Sequence, residues 1–335
     1  MEKRISLIGA GSWGTALAVL LESNGHDVSV WSEFHDEIDM LNDNREHIDK
    51  LPGVKIPENI VFTKDLESSI LNSDIVVLVV PSHVVRQTVV KMKPFYKGQI
   101  IVCCAKGIEE DTGLTMSKVI ESEIKSSRVV ILSGPTHAEE VSKFIPTTIV
   151  AASKSLKDAE YAQSIFMNNR FRVYTNHDVI GVELGGSLKN VIALCAGISD
   201  GLGYGDNTKA ALMTRGIAEI SRLGTKLGAN INTFSGLSGV GDLIVTCTSM
   251  HSRNRRAGIL IGKGKSMEEA IVEVKMVVEG ITTTKAAYML AKKENVGMPI
   301  ILEAYNVLFN KKDPSEAVND LMTRDKKYEL DVWGN

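Results

Sequence analysis

A glycine-rich turn near the N-terminus constrains the fold of this chain more than any other feature of its sequence. The run Gly9-Ala10-Gly11-Ser12-Trp13-Gly14 directly follows an apolar stretch, Ile5 to Ile8, and precedes residues with helical spacing, Thr15 to Leu21. In such a strand, turn and helix, the first glycine permits the tight turn, the second lets a pyrophosphate approach the backbone, and the third lets the helix pack closely. The context predicts a dinucleotide site at the positive end of the first helix.

Short apolar runs alternate with helical spacing through the first half of the chain. Further strands are predicted at Val28–Trp31, Ile75–Val80, Ile100–Cys103 and Val129–Leu132, with Thr147–Val150 and Phe171–Tyr174 extending the same sheet. Helical spacing lies between them, for example at Leu66–Leu71 and Leu114–Ile124. Buried strands that alternate with helices are typical of a doubly wound parallel sheet.

The second half reads as helical. Leu184, Leu188 and Val191 share one helix face, Ala210–Leu227 reads as a further helix, and Ser266 with Glu269 forms a capping box. The fold class predicted is therefore α/β, with an N-terminal doubly wound Rossmann-type sheet and an all-helical C-terminal domain. We place the dinucleotide-binding domain at residues 1–180 and the helical substrate-binding and catalytic domain at residues 181–335.

Composition excludes several classes of protein. The 38 basic and 41 acidic side chains give a net charge of −3, which argues against binding to nucleic acid or to a membrane surface. No membrane span is expected, and the apolar N-terminal run is interpreted as a strand, turn and helix rather than a secretory signal. Four cysteines without paired spacing favour reduced thiols and a cytoplasmic location. The dispersed histidines predict no metal site.

The end of the second predicted strand should touch the adenosine ribose. Glu33 lies there, roughly 20 residues after the glycine turn, and no Lys or Arg adjoins it in the sequence. A carboxylate accepts hydrogen bonds from the 2′-hydroxyl of NAD, so NAD is favoured over NADP, and Phe34 is a candidate to stack on adenine. The alternative is that Glu33 is a solvated surface acid, and use of NADP stays open.

Several segments carry candidate catalytic chemistry. Lys106 and the run Ser133 to Ala138 follow neighbouring strands, so both should lie at the carboxyl edge of the sheet, where such folds bind ligands. Gly185 and Gly186 precede Lys189 by one helical turn, and each glycine costs about 1 kcal/mol relative to alanine. We expect them to clear space for a substrate or nicotinamide, with close helix packing as the alternative. Beside Lys106, a buried Lys189 should have a lowered pKa.

A cationic segment, Ser252 to Arg256, precedes a predicted helix. Its side chains could bind a phosphate, with nucleic-acid binding as the competing interpretation.

Taken together, the motifs resemble the soluble bacterial-type NAD(P)-dependent sn-glycerol-3-phosphate dehydrogenases. The matching segments are Gly9 to Ala16, Ala105 to Gly107, Leu132 to Glu140, Gly186 to Asn190, Gly239 to Leu243, Ser252 to Asn254 and Val278 to Gly280. The resemblance covers nearly the whole chain and implies interconversion of dihydroxyacetone phosphate and sn-glycerol 3-phosphate for phospholipid synthesis.

The resemblance also implies roles for individual residues. Lys189 would accept the proton in alcohol oxidation, and Lys106 would polarise the carbonyl oxygen, bind substrate and touch the nicotinamide. The other implied substrate contacts are Gly134, Thr136, Asn190, Asp242, Thr246, Ser252, Arg253 and Asn254. The implied cofactor contacts are Ser12, Trp13, Lys106, Ala138, Arg253 and Glu279. They add to Gly9, Gly11, Gly14, Glu33 and Phe34, which the glycine turn and the end of the second strand predict.

One departure concerns cofactor choice, since many bacterial relatives carry His-Arg where this chain has Glu33-Phe34. Two other functions remain open: a two-domain hydroxyacid dehydrogenase with another substrate, and a non-catalytic NAD-binding redox sensor. The expected partner is a small phosphorylated substrate, and the apolar helices make a homodimer possible.

Overall fold

The first half of the chain forms one eight-stranded sheet. The computed structural model describes residues 2–326, 328 and 329. The strands are β1 (Arg4–Ile8), β2 (Asp27–Trp31), β3 (Val61–Thr63), β4 (Ile75–Leu78), β5 (Ile100–Cys103), β6 (Arg128–Ser133), β7 (Thr147–Ala152) and β8 (Phe171–Asn176). Their spatial order is β3-β2-β1-β4-β5-β6-β7-β8. The predicted doubly wound α/β fold is confirmed.

Helices cover both faces of this sheet. They are α1 (Ser12–Ser23), α2 (His35–Asn44), α3 (Leu66–Leu71), α4 (Val85–Met92), α5 (Met116–Glu123), α6 (Ala138–Val141) and α7 (Leu156–Phe166). Along β4, Ile75 and Val77 belong to the core on one face, and Val76 and Leu78 to the core on the other. Burial on both faces explains why the central strands are continuous apolar runs.

Two features of the sheet differ from the sequence prediction. β3 was not predicted, because its three residues give too short a pattern, yet it pairs parallel to β2. β7 runs antiparallel to β6, although all the strands were predicted to be parallel. The connection between them contains only the four-residue α6, which is too short to carry the chain back along the sheet as a parallel crossover does. β8 then pairs parallel to β7 through α7.

From Val179 onward the described elements are helical. They are α8 (Val179–Gly201), α9 (Asp206–Lys226), α10 (Asp242–Thr248), α11 (Arg253–Gly262), α12 (Met267–Val274), α13 (Glu279–Lys293), α14 (Pro299–Phe309) and α15 (Pro314–Met322), with short irregular helical turns at Ile231–Ser235 and Leu237–Gly241. The predicted capping box at Ser266 and Glu269 begins α12. The domain boundary predicted at residues 180 and 181 falls in the first turn of α8.

α8 is the central helix of the second half. By length and composition it could cross a membrane, but 89% of its most apolar window is buried inside the protein. It packs on α11 at backbone contact, because glycines face each other across the two helices. A Cβ added to Gly258 would lie 2.1 Å from the Leu194 carbonyl oxygen, and one added to Gly197 would lie 2.1 Å from that of Arg255. Gly201 and Gly262 make the same kind of contact one turn further along.

Two carboxylates, one buried and one partly buried, join the helical half to the sheet half. Glu183 of α8 accepts hydrogen bonds from the backbone N–H (2.7 Å) and the hydroxyl (2.6 Å) of Ser117, at the start of α5. Glu279, the first residue of α13, accepts from the backbone N–H of Ser82 at 3.0 Å and from its hydroxyl. Ser82 follows β4, so the second contact lies at the carboxyl edge of the sheet.

Candidate active site

The glycine turn after β1 has the geometry of a phosphate-binding turn. Gly9 has a φ of +122°, which favours glycine, and a Cβ there would lie 2.8 Å from the Val79 carbonyl oxygen. A Cβ on Gly14 would lie 2.1 Å from the carbonyl oxygen of Gly9, so α1 must approach the strand at a glycine. Beside Gly11, in contrast, no heavy atom of the described residues lies within 4 Å of an added Cβ. This open position, next to the first turn of α1, fits a pyrophosphate.

The end of β2 carries the residues predicted to bind the adenosine. Phe34 is 68% exposed, and Glu33 is also exposed. The Nζ of Lys91 lies 2.7 Å from Oε2 of Glu33. No Lys or Arg adjoins Glu33 in the sequence, because Lys91 lies 58 positions further along the chain, on α4. The carboxylate therefore has a counter-ion, and the end of β2 carries both a negative and a positive side chain.

Two lysines share one buried carboxylate at the carboxyl edge of the sheet. Lys106 Nζ lies 2.6 Å from Oδ2 of Asp242, and Lys189 Nζ lies 2.6 Å from Oδ1. Lys106 also donates to the Gly134 carbonyl oxygen at 3.0 Å, and Lys189 donates to the Thr246 hydroxyl at 2.6 Å. Five of the predicted site residues thus form one hydrogen-bonded cluster.

Three parts of the chain build this cluster. Lys106 and Gly134 follow β5 and β6, parallel neighbours whose carboxyl ends lie at the same edge as the glycine turn. Lys189 comes from the middle of α8. Asp242 is the first residue of α10, and Thr246 lies one turn later on that helix, where its hydroxyl donates to the Asp242 carbonyl oxygen at 2.6 Å.

Burial and neighbouring charges set the protonation of the cluster. Burial lowers the pKa of Lys189 to about 8, with Asp242 raising it and Lys106 lowering it. This confirms the predicted direction of the shift. Burial alone would raise the pKa of Asp242, but Lys106 and Lys189 outweigh it and hold that pKa below its usual range. The site therefore combines a permanent carboxylate with a lysine that can exchange a proton near neutral pH.

The glycines before Lys189 do not clear ligand space. A Cβ on Gly185 would lie 2.6 Å from the Ser238 carbonyl oxygen, and one on Gly186 would lie 2.4 Å from the Ser133 hydroxyl. The expectation of an open space there is wrong, and the alternative of close packing holds. Gly186 lets α8 approach the end of β6, and Gly185 lets it approach the turn Leu237–Gly241. The first contact brings Lys189 close to the sheet edge.

The cationic segment at the start of α11 lies on the helical side of the site. Ser252 caps α11, its hydroxyl accepting from the Arg255 N–H at 3.2 Å. Asn254 accepts from the Gly280 N–H at 2.8 Å and donates to the Asn190 side chain at 2.9 Å. Asn190 and Asn254 thus fasten α8, α11 and α13 together, a role the sequence analysis did not anticipate.

Arg253 differs from its neighbours. Burial lowers the pKa of its guanidinium, while Glu279 and Glu139 act in the opposite direction. Among the residues that the structure describes, the guanidinium makes no hydrogen bond and no ion pair. A partly buried cation without a counter-ion is a site for an anion.

The remaining predicted residues surround the cluster. The Thr136 hydroxyl donates to the Gly134 carbonyl oxygen at 3.1 Å, and Ala138 is buried at the start of α6. Trp13 packs against the core of the sheet half. The carboxylate of Glu279 is engaged by Ser82 rather than free in the site.

Fold and site together define the class of the protein. A doubly wound sheet with a phosphate-binding turn, and a buried lysine brought to the same edge by a helical half, are the features of an NAD(P)-dependent dehydrogenase.

Comparison with known proteins gives the family. The model described as NAD-dependent glycerol-3-phosphate dehydrogenase N-terminus matches residues 4–159, and the one described as its C-terminus matches residues 178–319. A glycerol-3-phosphate dehydrogenase (NAD(P)+) of Agathobacter rectalis is 62% identical over 327 residues, covering 97% of each chain. That of Bacillus subtilis is 52% identical over 333 residues, covering 98% of this chain and 96% of the other. The chain belongs to the glycerol-3-phosphate dehydrogenase family.

A solved structure agrees with this assignment. The crystal structure of glycerol-3-phosphate dehydrogenase from Coxiella burnetii has a TM-score of 0.93 and 36% sequence identity to this chain. The match covers 96% of this chain and 99% of the other.

Proposed function

We propose that this chain interconverts dihydroxyacetone phosphate and sn-glycerol 3-phosphate with NAD(P)H, and so supplies glycerol phosphate for phospholipid synthesis in the cytoplasm. The observation that carries the proposal is the buried Lys189 ammonium, held by Asp242 and Thr246 at the edge of the sheet that also carries the glycine turn. Membership of the family and the names of the relatives support the same reaction. We extend the proposal to a homodimeric assembly.

The residues of the site divide the chemistry among them. The glycine turn of Gly9, Gly11 and Gly14 would hold a nicotinamide dinucleotide, which would supply hydride exchange with C2 of the substrate. In ketone reduction Lys189 donates a proton from Nζ to the oxygen on C2, and in alcohol oxidation it takes that proton back. Lys106 adds positive charge beside that oxygen, where negative charge develops. Asp242 holds both ammonium groups in place, and the unpaired guanidinium of Arg253 binds the phosphate of the substrate.

The test is oxidation of NADH or NADPH by dihydroxyacetone phosphate, followed by absorbance, for the wild type, Lys189→Met and Lys154→Met. Lys154 is an exposed lysine remote from the site, so its variant is the matched control. We expect wild-type turnover, a loss of about a hundredfold or more in Lys189→Met, and an unchanged Lys154→Met.

Three outcomes would contradict parts of the proposal. Full activity in Lys189→Met would remove that residue from the proton transfer. Turnover of small keto acids in place of dihydroxyacetone phosphate would show a different hydroxyacid dehydrogenase. Nucleotide binding without turnover of either substrate class would show a redox sensor.

A further inference from the structure

The half-buried imidazole of His137 is a polar group that the proposed mechanism leaves unused. His137 lies between Thr136 and Ala138, in the loop that connects β6 to α6. Its Nε2 atom is buried and has no hydrogen-bond partner in the part of the chain that the structure describes. Most buried polar atoms in folded proteins are paired, so an unpaired one beside a binding site indicates a partner supplied by a ligand.

The charges around His137 set the protonation of its ring. Burial and the ammonium of Lys189 lower the pKa of His137, while Glu139 and Glu140 act in the opposite direction and His251 lowers it further. The imidazole is therefore neutral near pH 7. A neutral imidazole has one N–H donor and one acceptor nitrogen.

A second histidine connects this ring to the anion-binding segment. The rings of His137 and His251 lie 5.6 Å apart between centroids, tilted by 53°. His251 immediately precedes Ser252 and Arg253, whose guanidinium has no counter-ion among the described residues. His137 thus contacts a residue that lies two positions before Arg253 in the chain.

Two of the other buried polar atoms that lack a partner among the described residues have a different setting. The Ser133 hydroxyl is one, but it faces the Cα of Gly186 and is part of the close packing of α8 on β6. The Thr283 hydroxyl is another, and it lies inside α13. His137, in contrast, is within electrostatic reach of the Lys189 ammonium, which lowers the pKa of its imidazole.

We propose that His137 is a substrate-binding residue whose Nε2 donates a hydrogen bond to the phosphate group of the substrate, beside Arg253. This inference rests on the proposed function, because it takes dihydroxyacetone phosphate as the substrate. A neutral donor suits this position: it adds a directed hydrogen bond to the phosphate without a further cation that would depress the pKa of Lys189.

The test compares Asn and Gln at position 137, because their amide groups reach different positions. The amide of Gln can place a nitrogen near the position of Nε2, whereas that of Asn lies nearer Nδ1. We expect His137→Asn and His137→Leu to raise the KM for dihydroxyacetone phosphate by about tenfold to a hundredfold, as expected on loss of a hydrogen bond to a charged group. His137→Gln should stay within about threefold of the wild type, and the KM for NADH should not change in any variant. Exposed His177→Leu is the control.

A second substrate separates a phosphate contact from a structural role. Dihydroxyacetone lacks the phosphate, so its kcat/KM should be equal in the wild type and in all three His137 variants. An equal loss of kcat/KM with both substrates would overturn the inference. So would equal KM values for dihydroxyacetone phosphate in His137→Asn and His137→Gln.

Folding and the underlying reaction are checked separately. If His137→Leu does not fold, the comparison of Gln with Asn still decides. A wild type that does not reduce dihydroxyacetone phosphate would refute the proposed function and this inference with it. A wild type that does, with an unaffected His137→Asn, would refute the inference alone.

Discussion

At the scale of single residues, Asp242 governs the site because one carboxylate serves two lysines. Each carboxylate oxygen accepts from a different ammonium group at 2.6 Å, and the side chain is almost fully buried. In a buried site such a charge acts strongly on its neighbours. It raises the pKa of Lys189 against the effect of burial, so it sets the pH at which that lysine can exchange a proton.

The proposed role of Lys189 in proton transfer predicts opposite pH dependences for the two directions of the reaction. Alcohol oxidation needs neutral Lys189, so its kcat should rise as pH increases through about 8. Ketone reduction needs the ammonium form, so its kcat should fall above the same pH. In Asp242→Asn the charge that raises the pKa is gone, and both midpoints should move to lower pH. Profiles of kcat against pH in each direction measure this, and a midpoint that moves to higher pH would contradict it.

Cofactor choice is also decided by single residues. Glu33 repels a 2′-phosphate, whereas Lys91, paired with it at 2.7 Å, attracts one. We expect Glu33→Gln to improve kcat/KM for NADPH by about tenfold. Lys91→Met should lower it by a few-fold, since the lysine is solvent-exposed. The ratio of kcat/KM for NADPH and NADH is the measurement, with exposed Lys97→Met as the control. Unchanged ratios in both variants would place the ribose elsewhere.

At the scale of elements, the contact of α8 with α11 holds the second half together. The glycines bring the two backbones together, so the Cβ that any other residue adds meets a carbonyl oxygen. Both helices carry site residues, Lys189 and Asn190 on α8 and Arg253 and Asn254 on α11. Their separation therefore controls the distance between Lys189 and Arg253.

This close packing predicts a large cost for a single methyl group. Gly258→Ala should lower the free energy of unfolding by about 2 kcal/mol or more, because the added Cβ would lie 2.1 Å from the Leu194 carbonyl oxygen. Gly297→Ala is the matched control: it is exposed, with ordinary backbone angles and open space at the Cβ position in the described structure, and should change stability by less than about 0.5 kcal/mol. Urea unfolding of both variants measures the two free energies of unfolding. Equal stabilities would show that the helices separate at little cost.

The sequence predicts elements well where a local pattern is long enough. Four-residue apolar runs locate β4 and β5, and the serine and glutamate of a capping box locate the start of α12. The three-residue β3 has no such pattern. The direction of β7 depends on the length of the helix before it, and the packing role of Gly185 depends on a segment more than fifty positions away. These features are set by tertiary contacts.

At the scale of the whole molecule, the same limit applies to the site. Lys106, Lys189 and Asp242 could each be selected from their sequence contexts. The ion pairs that Asp242 makes with both lysines could not be predicted, because Asp242 lies 136 positions from Lys106 and 53 from Lys189. The pairing of Glu33 with Lys91 was missed for the same reason. A sequence pattern shows which chemistry is present, whereas the folded chain determines which charges meet.

The position of Asp242 also affects the order in which the protein can mature. A growing chain that has emerged as far as β8 contains the whole sheet and the phosphate-binding turn, but not the carboxylate that both lysines need. A truncated product ending before α10 would retain the nucleotide-binding turn and leave Lys106 and Lys189 without their common counter-ion. Synthesis therefore completes the sheet and its glycine turn before it adds the carboxylate that joins the two lysines.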